Sequence, residues 1–309
     1  MHATLAFPSH WMAPLNPARK KAAEHATAWL RRMGALEDRG ARKRLAALNL
    51  PLFGGAPFPY ASTETLDLAM RFAALATLHD DEAERTGVSW ADEVALALES
   101  HLASDRGRFL PAWADLGRAW RGRMSPRWCC RHAEHMHRWL ATVEEEVHVR
   151  RSPVTLDEHM ALRAVTAGML PTLDLLEVVL GFELLAQHHE HLLHRELVSI
   201  ACRLVAWTND LASVEADDAK GLPNAVALLA RERNVSLRRA ARLAEDECCA
   251  LVAEFDRLEP DAEVLGAPHP AWRRAARHAV YGFAAWHAAA DRYRKTGAAL
   301  ALTVAEAAE

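Results

Sequence analysis

The sequence contains no run of about eighteen apolar residues, so no membrane span is expected. Between Met1 and Pro17 no cationic segment leads into an apolar one, so no secretory leader is expected either. Cysteine is sparse and odd in number: Cys129, Cys130, Cys202, Cys248 and Cys249. Four of these form two adjacent pairs, and no CxxC spacing suggests zinc, so reduced thiols in the cytoplasm are the expectation. Positive charge is not in excess, with 37 Lys and Arg against 41 Asp and Glu. That balance gives no reason to expect a nucleic-acid partner. No segment alternates apolar and polar over β-branched residues, so strands are not expected. Internal repeats of about 20 to 50 residues are missing, which disfavours a solenoid. No long polar linker divides the chain, and residues 1–309 are read as a single domain.

What the chain does hold is helix. Glycine and proline number 14 each and cluster between stretches rich in Ala, Leu, Arg and Glu, all strong helix formers. Helices are predicted over Asn16–Ala35, Ser62–Glu84, Trp128–Val149, Thr155–Ala186, Leu192–Asp218, Asn224–Leu258 and Pro270–Ala298. Thr155–Ala186 is expected to break near Gly168 and Pro171. In Ser62–Glu84, Ser62 suits the N-cap, and Leu66, Ala69, Met70, Ala73, Ala74 and Thr77 recur at helical spacing. The fold class is all-α.

Two oxygen-rich clusters stand out. The first is Asp80-Asp81-Glu82-Ala83-Glu84, at the end of an apolar helix. Asp80 and Glu84 share a helix face, one turn apart. Clustered carboxylates repel one another, and the C-terminal end of the helix dipole adds to the cost. Such a cluster suits either a solvated helix end or a hard cation such as Mg²⁺, which takes one or two carboxylates plus substrate phosphates. The second is Asn209, Ser213 and Asp217, spaced i, i+4, i+8. An amide oxygen, a hydroxyl and a carboxylate then lie on one stripe, a plausible half-site for Mg²⁺ or an ordinary polar helix end.

In these two motifs the chain resembles bacterial class I terpene synthases. Asp80-Asp81-x-x-Glu84 is similar to their aspartate-rich motif, and Asn209-Asp210-x-x-Ser213-x-x-x-Asp217 to their second metal motif. Arg163 stands 46 residues before Asn209, where that family has its diphosphate-sensing arginine. Thr166, Ala167 and Gly168 then fall on the family's helix break. Arg292-Tyr293, with Trp286 six residues ahead of the arginine, resembles the family's C-terminal diphosphate pair. The resemblance covers most of the chain. Departures are Asp217 where Glu is commoner, Ala216 where a basic residue is usual, with Lys220 as a substitute, and Thr77 where an aromatic often stands.

The resemblance implies a helical bundle with a central active-site cavity closed by three Mg²⁺ ions, with Mn²⁺ as the alternative, and the substrate's diphosphate. Asp80, Asp81, Glu84, Asn209, Ser213 and Asp217 would hold the metal. Arg163, Arg292 and Tyr293 would bind the diphosphate. Phe53, Phe72 and Trp286 are candidates for an aromatic cavity wall that stabilises carbocations. Ala73, Ala74 and Thr77 are small residues that leave room in it. The expected reaction is cyclisation of farnesyl diphosphate to a sesquiterpene, with C20 and C10 diphosphates as alternatives. More distant readings are a chain-elongating prenyltransferase and an inactive helical binding protein, and a homodimer is compatible with all of them. His79 is expected to be structural. His188, His189, His191 and His194 are expected on solvated surface near a helix end, and the Arg-rich stretch 231–242 as an ordinary polar face.

Overall fold

A computed structural model describes residues 2–100, 107–149, 154–290 and 299–304. It opens with strand β1 (His2–Phe7), followed by α1 (Arg19–Arg32), α2 (Arg39–Ala47), α3 (Leu50–Gly55) and α4 (Thr63–Thr86). Next come α5 (Ala91–Glu99), α6 (Leu110–Arg121), α7 (Pro126–Val149), α8 (Leu156–Thr166) and α9 (Met169–Leu180). The remainder is α10 (Ala186–Glu190), α11 (Leu192–Lys220), α12 (Ala225–Glu232), α13 (Leu237–Leu258), α14 (His269–Ala289) and strand β2 (Ala299–Val304). The all-α class holds. The helical elements group into two compact units, Leu15–Val149 with Leu170–Glu183, and Met1–Pro14 with Arg150–Met169 and Leu184–Glu309.

In the first unit α4 is the core helix. Ser62 caps it by accepting from the Thr65 N–H at 3.1 Å, and Gly87, at φ +72°, ends it in the left-handed conformation that glycine adopts without strain. Leu66, Ala69, Met70, Ala73 and Ala74 are buried along it, as their spacing implied. Phe72 packs among Trp113, Trp120 and His132, with ring centroids 5.8 to 6.0 Å away. An ion network joins α7 to α9. Asp174 accepts from His135 at 2.8 Å, His132 at 3.1 Å and Arg131 at 3.2 Å, while Arg131 also reaches the buried Glu177 at 2.5 Å. Burial alone would push the Asp174 carboxyl up, but His135 and His132 hold it far below the usual range.

His79 has the structural role expected of it. It is buried, and its Nδ1 accepts from the Trp113 indole N–H at 2.8 Å. Burial pushes its pKa from 6.5 down to about 4. His269, in the other unit, is pushed to about 3 by burial and by the nearby positive charge of Arg273. Unfolded, both rings would take a proton near 6.5, so below that pH the unfolded state binds more protons. Stability should therefore be full above pH 6.5 and fall as the pH drops towards 4. At pH 5 His79 alone should cost about 2 kcal/mol. Urea denaturation between pH 7.5 and 5 checks this, and an unchanged midpoint would contradict it.

In the second unit α11 is the core helix, packed by α8, α13 and α14. Among the described residues it is the one helix long and apolar enough to cross a membrane, and most of that apolar stretch is buried in the protein. Three sequence expectations need correction here. First, β1 and β2 form a parallel pair, with His2 opposite Ala299 and Phe7 opposite Val304. Ala3, Leu5 and Phe7 do alternate inward, but the partner strand is nearly the whole chain away and no turn marks the pairing. Second, Asn224–Leu258 is two helices, because Asn234 takes a positive φ of 50° and Ser236 caps α13. Third, His188 and His194 are buried, not on solvated surface. His188 donates to the Leu265 carbonyl at 3.0 Å, and His194 Nδ1 lies 3.0 Å from His269 Nε2.

The expected break after Arg163 falls at Ala167 and Gly168, and Gly168 adopts φ +69°. A side chain there would be strained, so glycine suits the corner. Pro171 lies in the first turn of α9, where its missing N–H costs little, so it does not itself break the helix.

Candidate metal and diphosphate site

On α11, Asn209 and Asp217 are half-buried and Ser213 is buried. Each is held by a different neighbour. Asn209 Oδ1 accepts from the Arg163 guanidinium at 2.8 Å, and its Nδ2 faces His287 Nε2 at 3.3 Å. A carboxamide nitrogen can only donate, so His287 Nε2 accepts, and the ring proton sits on Nδ1, 3.0 Å from Thr208 Oγ1. Arg163 on Oδ1 and His287 on Nδ2 together fix which way the Asn209 amide points. Ser213 donates its hydroxyl to Asp217 Oδ2 at 2.6 Å, which leaves the Oγ lone pairs as acceptors. Burial pushes the Asp217 carboxyl up, an effect that hydrogen bonds from Ser213 and Asn224 offset in part.

Arg163 lies on α8, which the Thr155–Glu158 capping box starts. Its three donor nitrogens are spread over three acceptors: Nε on Asp210 Oδ1 at 3.1 Å, one terminal nitrogen on Thr166 Oγ1 at 3.1 Å, the other on Asn209. Asp210 is a buried hub. Its Oδ2 accepts from His159 Nε2 at 2.8 Å and from the Ala225 N–H at 2.8 Å. Burial alone would raise the Asp210 carboxyl, but Arg163 and His159 hold it below the usual range. The geometry thus joins Arg163, Thr166, Asn209, Ser213 and Asp217, all named from the sequence. His159, Asn224 and His287 complete the group and were missed. Each reaches in from another element, and only His159, four residues before Arg163 on the same helix face, carried a local signal.

The aspartate-rich motif closes α4 in the other unit. Asp80 and Asp81 are half-buried and Glu84 is exposed. Arg44 Nε lies 3.8 Å from Asp81, and Glu82, outside the motif's ligand positions, is engaged by Arg85 at 2.6 Å and Arg44 at 3.6 Å. Phe53 and Trp286 are buried, and Trp286 packs on His287 with centroids 5.1 Å apart. Thr77 is half-buried, its hydroxyl on the Ala73 carbonyl. Lys220 is exposed at the last residue of α11. Arg292 and Tyr293 lie outside the described residues.

Among the described residues no three His, Cys, Asp or Glu side chains converge into a ready metal cage. The α11 stripe is instead one carboxylate with two neutral oxygens, beside a guanidinium. Such a set suits a hard cation that arrives with phosphate and keeps part of its water, because Mg²⁺ seldom relies on an all-protein cage.

The sequence profile of "Terpene synthase family 2, C-terminal metal binding" matches residues 71–254, a span that includes both motifs and Arg163. The chain belongs to the bacterial class I terpene synthase family. Among its relatives is the "(-)-beta-caryophyllene synthase ((2E,6E)-farnesyl diphosphate cyclizing)" of Saccharothrix espanaensis. It is 32% identical over 252 residues, covering 75% of this chain and 69% of the relative. Pentalenene synthase of Streptomyces exfoliatus is 26% identical over 300 residues, covering 90% and 89%. Among solved structures, a variant of the ancestrally reconstructed SVS_A2 protein superposes with a TM-score of 0.81 at 26% identity, over 98% of this chain and 92% of that one. An a-eudesmol synthase, at 23% identity and a TM-score of 0.79, shares the fold over 89% and 96%. This terpene synthase is therefore a class I enzyme that uses a divalent metal and acts on a prenyl diphosphate.

Proposed function

We propose that this terpene synthase uses Mg²⁺ to ionise farnesyl diphosphate and cyclise the C15 cation to a sesquiterpene, releasing diphosphate. The observation that carries the proposal is the α11 oxygen stripe with the Arg163 guanidinium 2.8 Å from its first member. A cation and a diphosphate-binding arginine side by side are what a departing diphosphate needs. The choice of the C15 substrate draws on the farnesyl diphosphate in the caryophyllene synthase's name and on the general similarity to sesquiterpene synthases.

Asn209, Ser213 and Asp217 would hold Mg²⁺ on α11, and Asp80, with Asp81 and Glu84, would hold it on α4. When bound, Mg²⁺ neutralises charge developing on the leaving diphosphate. Arg163 exchanges its present acceptors, Thr166 and Asn209, for phosphate oxygens, bidentate where the guanidinium fork permits. Arg292 and Tyr293 add donors, and Lys220 stands in for the missing base at Ala216. The C–O bond of the substrate breaks with its electron pair leaving on diphosphate, and alkene π electrons close the ring. The resulting carbocation loses a proton, with the released diphosphate as the available base, to give the neutral hydrocarbon. Phe53, Phe72, Thr77 and Trp286 would supply apolar and aromatic surface for the carbocation. Residues 1–309 would act as one catalytic domain. A cytoplasmic location fits the sparse cysteines of the sequence.

The deciding experiment incubates the protein with Mg²⁺ and farnesyl diphosphate, alone and with isopentenyl diphosphate, and in parallel with the C10 and C20 diphosphates. A volatile C15 product with diphosphate release is expected. A longer diphosphate would assign chain elongation, preferential C20 turnover would remove the sesquiterpene reading, and inertness towards every substrate would indicate a binding protein.

A further inference from the structure

Asn224 belongs to neither metal motif, yet its side chain reaches two of the three α11 triad members, Ser213 and Asp217. It stands at the N-cap of α12, after the left-handed Gly221 has ended α11 and Leu222-Pro223 have led the chain into α12. The residue is 1% exposed. Its Oδ1 accepts from the Val226 N–H at 3.0 Å, which caps α12. Its Nδ2 lies 2.9 Å from the Asp210 carbonyl, 2.9 Å from Asp217 Oδ2 and 3.3 Å from Ser213 Oγ. One buried carboxamide thus starts α12 with its oxygen and ties two metal-type side chains to the α11 backbone with its nitrogen.

We propose that Asn224 is a positioning residue that preforms the Ser213–Asp217 half of the metal site; the proposal rests on reading the α11 stripe as that site. The geometry gives it a definite task. Ser213 and Asn224 both donate to Asp217 Oδ2, so the carboxylate plane is fixed from two sides and Oδ1 is the oxygen presented for ligation. The Ser213 proton is held on Asp217, so the hydroxyl meets a cation with a lone pair. Asp217 is a methylene shorter than Glu and has less reach with which to search for a metal. A carboxylate of short reach gains more from being aimed in advance, because ordering it no longer opposes binding.

A cap alone would predict something different, and this separates the two roles. Ser and Gly are both accepted at N-caps, so Asn224→Ser and Asn224→Gly keep the start of α12. Neither carries a donor able to reach Asp217. Calorimetry with Mg²⁺ and inorganic diphosphate, with circular dichroism as the fold check, gives a readout independent of turnover. Both variants should keep helical content while their affinity for Mg²⁺ with diphosphate falls about tenfold or more, as expected when the partner that orients a metal ligand is lost. In turnover the Mg²⁺ concentration for half-saturation should rise by a similar factor, with kcat at saturating Mg²⁺ changing far less. Wild-type Mg²⁺ affinity in a folded variant overturns the proposal. So does loss of helical content in both, which would make Asn224 a structural cap. If the wild-type protein itself fails to bind Mg²⁺ with diphosphate, the α11 reading falls first, and the inference with it.

Discussion

Asp80→Ala and Asn209→Ala should each lower turnover of farnesyl diphosphate by about three orders of magnitude or more, with helical content unchanged. The two residues open the two metal-type motifs, one at the end of α4 and one within α11. Asp80 brings a formal charge and Asn209 a neutral oxygen, so their losses differ in kind. Without Asp80 the aspartate-rich motif keeps Asp81 and Glu84, but Asp81 lies 3.8 Å from Arg44 and is partly neutralised by it. Without Asn209 the stripe keeps Ser213 and Asp217, while Arg163 loses its shortest acceptor and His287 loses the amide it orients. Asn209→Ala should therefore disturb diphosphate binding as well as metal binding, and Asp80→Ala chiefly the metal. Steady-state kinetics across Mg²⁺ concentrations would show this. Wild-type turnover in either variant would take that residue out of the site.

Much of this site is readable from spacing because helices carry their own ruler. Residues i, i+4 and i+8 share a stripe whatever surrounds them, so Asn209, Ser213 and Asp217 group together from their positions in the chain alone. Ser62 announces the start of α4 for the same reason: a cap is a local hydrogen bond. The groups that aim those ligands are not readable in this way. His287 reaches Asn209 from 78 residues away and Asn224 reaches Asp217 from the start of α12, and neither has a periodicity to betray it. The β1–β2 pairing is hidden likewise, since its register joins the two ends of the chain. His188 and His194 mislead because polarity suggests exposure. The structure satisfies those rings internally, against Leu265 and His269, and a buried ring with a partner carries no penalty visible in the sequence. Phe72 shows the limit on apolar positions: helical spacing assigns a residue to the buried side, and both packing against Trp113 and lining a cavity meet that description.

Asp210→Ala should destabilise the protein by about 3 to 5 kcal/mol, because it strands buried donors that have no water to turn to. The carboxylate accepts from Arg163, His159 and the Ala225 N–H, and its side chain is only 3% exposed. A loss of that size should lower the melting temperature by roughly 5 to 8 °C. Asp210→Asn should be nearly as costly despite its identical shape. Both carboxylate oxygens already accept from N–H donors, so an amide nitrogen in either position meets a donor head-on. The pH dependence supplies a second signature. Arg163 and His159 hold the Asp210 carboxyl below its ordinary value, so its contribution is complete above about pH 4 and is lost as the pH falls through the lowered value. In Asp210→Asn that part of the acid limb should vanish, while the decline between pH 6.5 and 5, to which buried histidines such as His79 and His269 contribute, should remain. Arg163, released from its Nε acceptor, should also bind diphosphate more weakly, and calorimetry on the folded variant at low temperature would record it. If Asp210→Asn melts with the wild type and keeps the same acid limb, the hub does not hold α8, α11 and α12 together, and Arg163 must be placed by something else.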